Sequence, residues 1–235
     1  MNLLLFSAGE CDTEGQLHLS GRRAQHVCQV LKARAGDQLV VGEINGLMGH
    51  AQVVAIEPQY VQLSVTLDQR PPAKLPVSLV VALPRPKMLR RILRAAAEFG
   101  VDNIHLINSY RVEKSYWQTP VLAPDTVRDY LLQGLEQARD TMLPGVHVHK
   151  RFKPFVEDDL PALMADREAL LAHPGNVPVA PAEPTRRRLL VIGPEGGFIP
   201  YEVEKLLAAG CRQVSLGTRI LRVENAVAAL LGRAL

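Results

Sequence analysis

The chain has 235 residues, of which 47% are hydrophobic and 22% charged, and its net charge is +3. That length allows one or two domains, the composition excludes wholesale disorder, and the near balance of charge excludes a histone-like polycation. Three cysteines, Cys11, Cys28 and Cys211, are odd in number and far apart, which excludes a disulfide framework or a CxxC-type zinc site; they read as buried apolar thiols. No uncharged apolar run approaches the ~20 residues that span a bilayer. Met1–Glu10 lacks the basic start of a secretory signal, so a cytoplasmic protein with no membrane partner is expected.

Along the chain, a helix is predicted over 22–33, followed by β-structure. Apolar runs at 38–44 and 47–56 flank Asn45-Gly46, a pair suited to the positive φ values of a type I′ hairpin turn. Val61, Leu63, Val65 and Leu67 alternate with Gln62, Ser64 and Thr66, the period of a half-buried strand. Together these elements predict a small β-barrel or sandwich of about 70 residues. Pro71, Pro72 and Pro76 in the polar stretch 68–76 suit neither a helix nor a central strand, so a short, stiff linker is expected. Residues 1–70 are read as the first domain and 71–235 as the second.

Beyond the linker, strands predicted at 77–83, 104–107, 169–172, 189–192 and 214–216 alternate with helices at 86–99, 121–142, 201–209 and 223–233. This implies an α/β domain with a mainly parallel sheet covered on both faces and ligands at the C-terminal strand ends. The helix 86–99 carries Lys87, Arg90, Arg91 and Arg94 on one face, with Met88, Leu89, Ile92, Leu93, Ala96 and Phe99 opposite. The stripe fits a solvated surface or a phosphate-contacting ridge. Four cations with little compensating acid tilt the reading to the ridge, which Arg22, Arg23 and Lys32 of the first domain extend. With aromatics at 5%, a single-strand stacking platform is not expected. His147 and His149 share one side of a short strand, 146–148. No third ligand has suitable local spacing, so they read as structural and no metal is expected. The Pro-rich stretch 174–184 reads as a long loop.

Two strand-to-helix turns carry the strongest signals. Gly193-Pro194-Glu195-Gly196-Gly197-Phe198 follows the buried run that ends at Ile192, and Pro200 then opens a helix. The turn is neither a P-loop nor GxGxxG, but its glycines let a ligand or another backbone approach closely. The second turn is Leu216-Gly217-Thr218-Arg219-Ile220-Leu221-Arg222, continued by Val223-Glu224-Asn225-Ala226. Its apolar side chains and exposed backbone suit a flat adenine ring, and its charges suit a polar substrate. Each turn alone also fits an ordinary helix start.

As a pair, the two turns resemble the RsmE family of bacterial ribosomal RNA methyltransferases, within the SPOUT superfamily. Further matches are His26 through Leu31, Ala97-Glu98-Phe99-Gly100-Val101, Glu136-Gln137-Ala138-Arg139 and His173-Pro174. The chain departs from the family at Asn225, where threonine is usual, and at Ala138-Arg139-Asp140, where Ser/Cys-Gly-Arg is usual. The loop 108–115 stands in place of a serine-rich arginine loop. These departures leave the substrate-side contacts open.

The resemblance implies a SPOUT-type, trefoil-knotted α/β domain preceded by a PUA-like RNA-binding barrel, assembled as a homodimer. It implies S-adenosylmethionine as cofactor, bound by His173, Ile192, Gly193, Glu195, Gly196, Gly197, Leu216, Gly217, Ile220, Leu221 and Ala226. The implied reaction is methylation of N3 of a uridine in 16S ribosomal RNA of the small subunit; the basic ridge read from helical spacing then makes Arg22, Arg23, Lys87, Arg90, Arg91 and Arg94 the expected RNA contacts. A sulfonium methyl is already electrophilic, so no metal is needed. N3 must lose its proton, and a cation near the uracil oxygens stabilises the anion that develops. Arg222 is the first choice for that cation and Arg219 the second. Glu224 orients an arginine, accepts the proton, or simply caps its helix. N3 lies on the Watson–Crick edge, so the target must be unpaired or extruded. The alternatives are a non-catalytic RNA-binding protein that keeps the fold, or a methyltransferase for another RNA position. A nucleotide-dependent enzyme of another class is opposed by the missing phosphate-loop and dinucleotide fingerprints.

Overall fold

The computed structural model describes residues 2–57, 60–182 and 186–235; Glu183 and Pro184, the end of the predicted Pro-rich loop, lie outside them. Two compact units are formed, Met1–Ala73 with Leu135–Leu143, and Lys74–Gly134 with Pro144–Leu235.

The first unit contains β1 (Leu4–Phe6), β2 (Gln16–Ser20), α1 (Gly21–Gln25), β3 (Gln38–Glu43), β4 (Met48–Glu57) and β5 (Tyr60–Gln69). Its five-stranded sheet has the order β1-β3-β4-β5-β2. Among the described residues only the β1–β3 pair of this sheet is parallel. Register shifts at Met48/Gly49 and Val53/Ala55 bend β4, so the predicted barrel is realised as a curled half-barrel. Phe6, Leu17, Leu19, Val27, Val61 and Leu63 fill its concave core.

Two local expectations in this unit are corrected. The predicted helix 22–33 keeps α geometry only to Gln25 and continues as a wider π-turn over His26–Val30. Lys32 ends it at φ 52, and the Ala33 N–H reaches back to the Val27 carbonyl at 3.1 Å, the closure that left-handed caps make. Asn45-Gly46 is not a two-residue type I′ turn, because only Asn45 has positive φ, at 62°. The segment 141–143 reshapes that loop. Asn45 donates its N–H to the Thr141 carbonyl at 2.8 Å, and its Oδ1 accepts from the Leu143 N–H at 2.9 Å. The three cysteines are unpaired; Cys211 is buried, whereas Cys11 and Cys28 are only half-buried.

The second unit contains β6 (Val77–Ala82), α2 (Pro86–Glu98), β7 (Asn103–Ile107), α3 (Pro124–Ala138), β8 (Gly145–His149), α4 (Phe152–Pro154), a π-turn at Phe155–Asp159 and α5 (Leu160–Met164). It continues with β9 (Arg167–Ala172), β10 (Arg187–Ile192), α6 (Pro200–Ala208), β11 (Arg212–Val214) and α7 (Val223–Gly232). The final residues of α3 group with the first unit. All six strands run parallel, in the order β11-β9-β10-β6-β7-β8. β6 is buried along its whole length, as expected for a strand covered on both faces. The predicted helix 121–142 is shorter at both ends, and Arg139 closes it at φ 57.

At the start of the strands, the Asp102 carboxylate accepts from Ser78 Oγ at 2.5 Å, Arg167 at 3.0 Å and Arg187 at 2.8 Å, tying β6, β7, β9 and β10 together. α2 and α3 pack almost backbone to backbone at Gly134, where a Cβ would lie 2.5 Å from the Arg94 carbonyl oxygen. After β11 the chain is pinned to the arch 173–180. The His173 N–H donates to Val214 O at 3.1 Å, the Ser215 N–H to Pro178 O at 2.9 Å, and the Ala180 N–H to Ser215 O at 2.9 Å. The chain then returns through α7, and Arg233 Nε donates to Ala180 O at 2.9 Å. A parallel α/β domain thus accompanies a curled, mainly antiparallel sheet, the α/β class and small β domain that were expected.

His147 and His149 do acquire a third imidazole. His105 on β7 stacks on His147 with centroids 4.7 Å apart, and its Nδ1 shares a hydrogen bond with His149 Nε2 at 3.2 Å. His149 Nδ1 lies 2.9 Å from Asp159 Oδ2. Among the described residues, no group of three or more His, Cys, Asp or Glu side chains is arranged to hold a metal ion. Burial first, and the neighbouring His147 and His149 next, push His105 from 6.5 to about 4. A histidine held neutral in the fold binds fewer protons than in the unfolded chain, so acidification favours unfolding. The penalty sets in below about pH 6.5 and reaches its full size near pH 4, on the order of 3 kcal/mol. Urea titrations between pH 7 and pH 4 should therefore show a stability loss that is flattened by that amount in His105→Gln.

Candidate functional site

The C-terminal ends of β6, β9, β10 and β11 open into one cavity of about 880 Å³, within the usual range for small-molecule sites. The turn after β10 and the turn after β11 both form parts of its wall. His173, Ile192, Gly193, Glu195, Gly196, Gly197, Leu216, Gly217, Ile220, Leu221 and Ala226 all line it, as do Arg219, Arg222 and Glu224.

The backbone explains why these positions stay open. Gly217 has φ +96, and a Cβ built there meets no atom within 4 Å beyond its chain neighbours, so the space beside it is open. Gly196 faces the other way: a Cβ there would be 3.0 Å from Arg111 Cδ. Arg111 donates a guanidinium N–H to the Gly196 carbonyl and thereby holds the glycine turn. Burial first, and the Arg111 charge second, push the His173 pKa down.

Glu195 is committed to the turn itself. Its Oε1 accepts the backbone N–H of Arg85 at 3.0 Å, tying the turn after β10 to the loop before α2. Glu224, in the first turn of α7, has an 11% exposed side chain and sits 3.5 Å from the Arg91 guanidinium. Arg222 is the N-cap residue of α7 and its carbonyl accepts from the Ala226 N–H at 2.9 Å, leaving its side chain at the cavity.

Sequence patterns missed Arg85, Met88 and Arg111 as wall residues. They also missed Glu202, whose 2% exposed carboxylate accepts from Ser109 Oγ at 3.0 Å, the Tyr110 N–H at 2.8 Å and the Ile199 N–H at 3.0 Å. A glutamate three residues into a helix signals a capping contact, but nothing in the sequence says that it also seizes the loop after β7.

The predicted basic ridge divides. Lys87 and Arg90 are exposed. Arg91 is drawn toward Glu224. Arg94 is half-buried, donates to Gln133 Oε1 at 2.9 Å and lies 4.9 Å from the Tyr130 ring centroid. In the first unit Arg22 is exposed, while Arg23 pairs with Glu10. Lys87, Arg90 and Arg91 thus remain exposed on the predicted face, while Arg94 is half-buried against α3.

An RNA methyltransferase domain family matches residues 71–235, and an RNA methyltransferase PUA domain family matches residues 19–66. The ribosomal RNA small subunit methyltransferase E of Treponema pallidum is 34% identical over 97% of this chain and 88% of its own length. The protein of that name from Synechocystis is 27% identical over 94% of this chain and 73% of its own. The crystal structure of a ribosomal RNA small subunit methyltransferase E from Neisseria gonorrhoeae, bound to S-adenosyl methionine, superposes with a TM-score of 0.76. It covers 97% of this chain and 95% of its own, and at 19% identity the likeness is one of fold.

Glu202→Ala would strip three buried donors of their acceptor and should lower stability by about 3 kcal/mol in urea unfolding. Glu202→Gln keeps an acceptor oxygen and should lose roughly half as much.

Proposed function

The chain belongs to the small-subunit ribosomal RNA methyltransferase E family, and on that premise we propose that it transfers a methyl group from S-adenosylmethionine to N3 of a uridine in 16S ribosomal RNA. The observation that carries this reading is the convergence of two glycine turns and two arginines on one cavity. The wall suits the donor. Ile192, Leu216, Ile220 and Leu221 offer apolar surface to an adenine, and at Gly217 no side chain occupies the space a ligand would take. When bound, S-adenosylmethionine supplies a methyl carbon that is already electrophilic, so the protein's task is positioning and control of one proton.

Arg222 and Arg219 place positive charge where the uracil oxygens gain negative charge as N3 loses its proton. Glu224 accepts that proton, with Arg91 fixing the direction of its carboxylate. Glu195 lines the cofactor cavity and also braces its turn, one of its oxygens accepting from the Arg85 N–H. Lys87 and Arg90 grip phosphates. Residues 1–70 act as the PUA-like RNA-binding domain, with Arg22 on its surface, and 71–235 as the methyltransferase domain. The partner is the small-subunit ribosomal RNA, met in the cytoplasm. The chain acts as a homodimer, a reading supported by the exposed apolar side chain of Val179 in the 173–180 arch, at 53%. Among the described residues no helix is long and apolar enough to cross a membrane.

The test uses small-subunit RNA from cells lacking the gene, incubated with purified protein and S-adenosylmethionine and read by mass spectrometry for N3-methyluridine. Wild type should restore the mark. Arg222→Ala should lower kcat by about 10²–10³-fold with cofactor affinity by calorimetry unchanged within about threefold. Cofactor uptake with no methyl transfer to any RNA would favour the non-catalytic alternative.

A further inference from the structure

A second cavity, of about 360 Å³, lies across the Ser109–Arg111 loop from the first. The chain contains only five Phe, five Tyr and one Trp, yet Tyr110, Trp117, Phe152 and Tyr201 all line this one space, with Lys114 and Lys153. Low overall aromatic content therefore hides a local concentration. Tyr110 is 80% exposed and Tyr201 46%, which presents apolar ring surface to solvent at the mouth. Trp117 is fixed by its indole N–H, which donates to Asn108 Oδ1 at 3.1 Å.

Charge at this cavity is set by the lysines. Among the described residues the only carboxylate in its wall is Glu202, and that group is enclosed by three donors. Lys153 has Glu157 at 3.9 Å, but both ends of the pair are exposed, so the lysine remains available to another anion. The two cavities share a partition. Arg111 contacts Gly196 on the first side, and Phe152 of the second cavity lies 6.2 Å, centroid to centroid, from Phe198 of the first.

We propose that this second cavity is a docking site for an unpaired nucleotide of the RNA substrate, distinct from the base being modified, with its base on the aromatic rings and its phosphate near Lys114 and Lys153. Ring faces beside cations suit single-stranded nucleic acid, because every base offers a π-face whatever its sequence. A modification target must itself be unpaired or extruded, and a second seat for a neighbouring unpaired residue would hold the strand open beside the first cavity. This inference rests on the RNA reading above, and its test separates the two.

Trp117 is the chain's single tryptophan, so its fluorescence reports on this cavity. The full-length protein is titrated with an unstructured ribo-oligonucleotide of mixed sequence. Saturable quenching is expected. Tyr110→Ala, at a side chain too exposed to hold the fold, should weaken oligonucleotide binding by about 5- to 30-fold. It should raise the KM for small-subunit RNA in parallel, leave kcat and cofactor affinity unchanged, and be rescued by Tyr110→Phe. Lys114→Gln should lower the slope of log affinity against log salt by about one. Absence of quenching, or a Tyr110→Ala protein with wild-type KM and oligonucleotide affinity, overturns the proposal. So does sedimentation showing that Tyr110→Ala splits an oligomer, which would assign the surface to a second copy of the chain. Quenching that obeys these expectations in a protein that methylates no RNA would sink the enzymatic reading and leave the docking site standing. Methyl transfer without quenching would do the reverse.

Discussion

The carboxylate of Glu202 has almost no access to water, and three donors from two separate loops close around it. An ionised group in that position is tolerated only when its hydrogen bonds are complete, so neither loop can drift without exposing an unsatisfied charge. Holding the Ser109 hydroxyl and the Tyr110 N–H fixes where the next residue begins, and that residue is Arg111, which braces the glycine turn. Holding the Ile199 N–H fixes the start of α6 and the exit of the same turn. The geometry of one cavity wall and the shape of the neighbouring cavity thus descend from one buried acid.

Stability and chemistry occupy opposite ends of the sheet. Where the strands begin, the Asp102 carboxylate accepts from Ser78, Arg167 and Arg187 and cross-links four strands. Where they end, backbone turns dominate and cations stand at an open space. A parallel sheet favours this division, because every crossover delivers its loop to the same rim. The order β11-β9-β10-β6 sets the two glycine turns at that rim together with the loop before α2.

Legibility in the sequence followed the range of the interactions involved. The buried strands after the linker were readable as apolar runs, since β6 and β10 need little more than unbroken hydrophobic character. The two glycine turns were readable because a missing Cβ leaves a mark in the letters. β1 and β2 were missed: three and five residues respectively, they carry too few alternations to rise above background. The Asn45 turn was misjudged because Thr141 and Leu143, far away in the chain, impose its shape. Arg91 and Arg94 sit on the predicted helix face, yet spacing cannot show that Glu224, Gln133 and Tyr130 await them. Arg85, Arg111 and Glu202 are ordinary loop and cap residues until the fold brings their partners within reach.

The tie between Arg85 and Glu195 joins residues 110 positions apart, and β10 lies between β9 and β6 in the sheet. A chain emerging from synthesis can zip β6, β7 and β8 early, because they are successive. The middle of the sheet must keep a gap until β9 and β10 arrive, and the segment pinned to the 173–180 arch comes later still. Such long-range closure slows folding and leaves an apolar strand edge uncovered in the interval. The tie that braces the cavity wall therefore forms only once β10 has closed on β6, and until then the growing polypeptide keeps an apolar edge open to other chains.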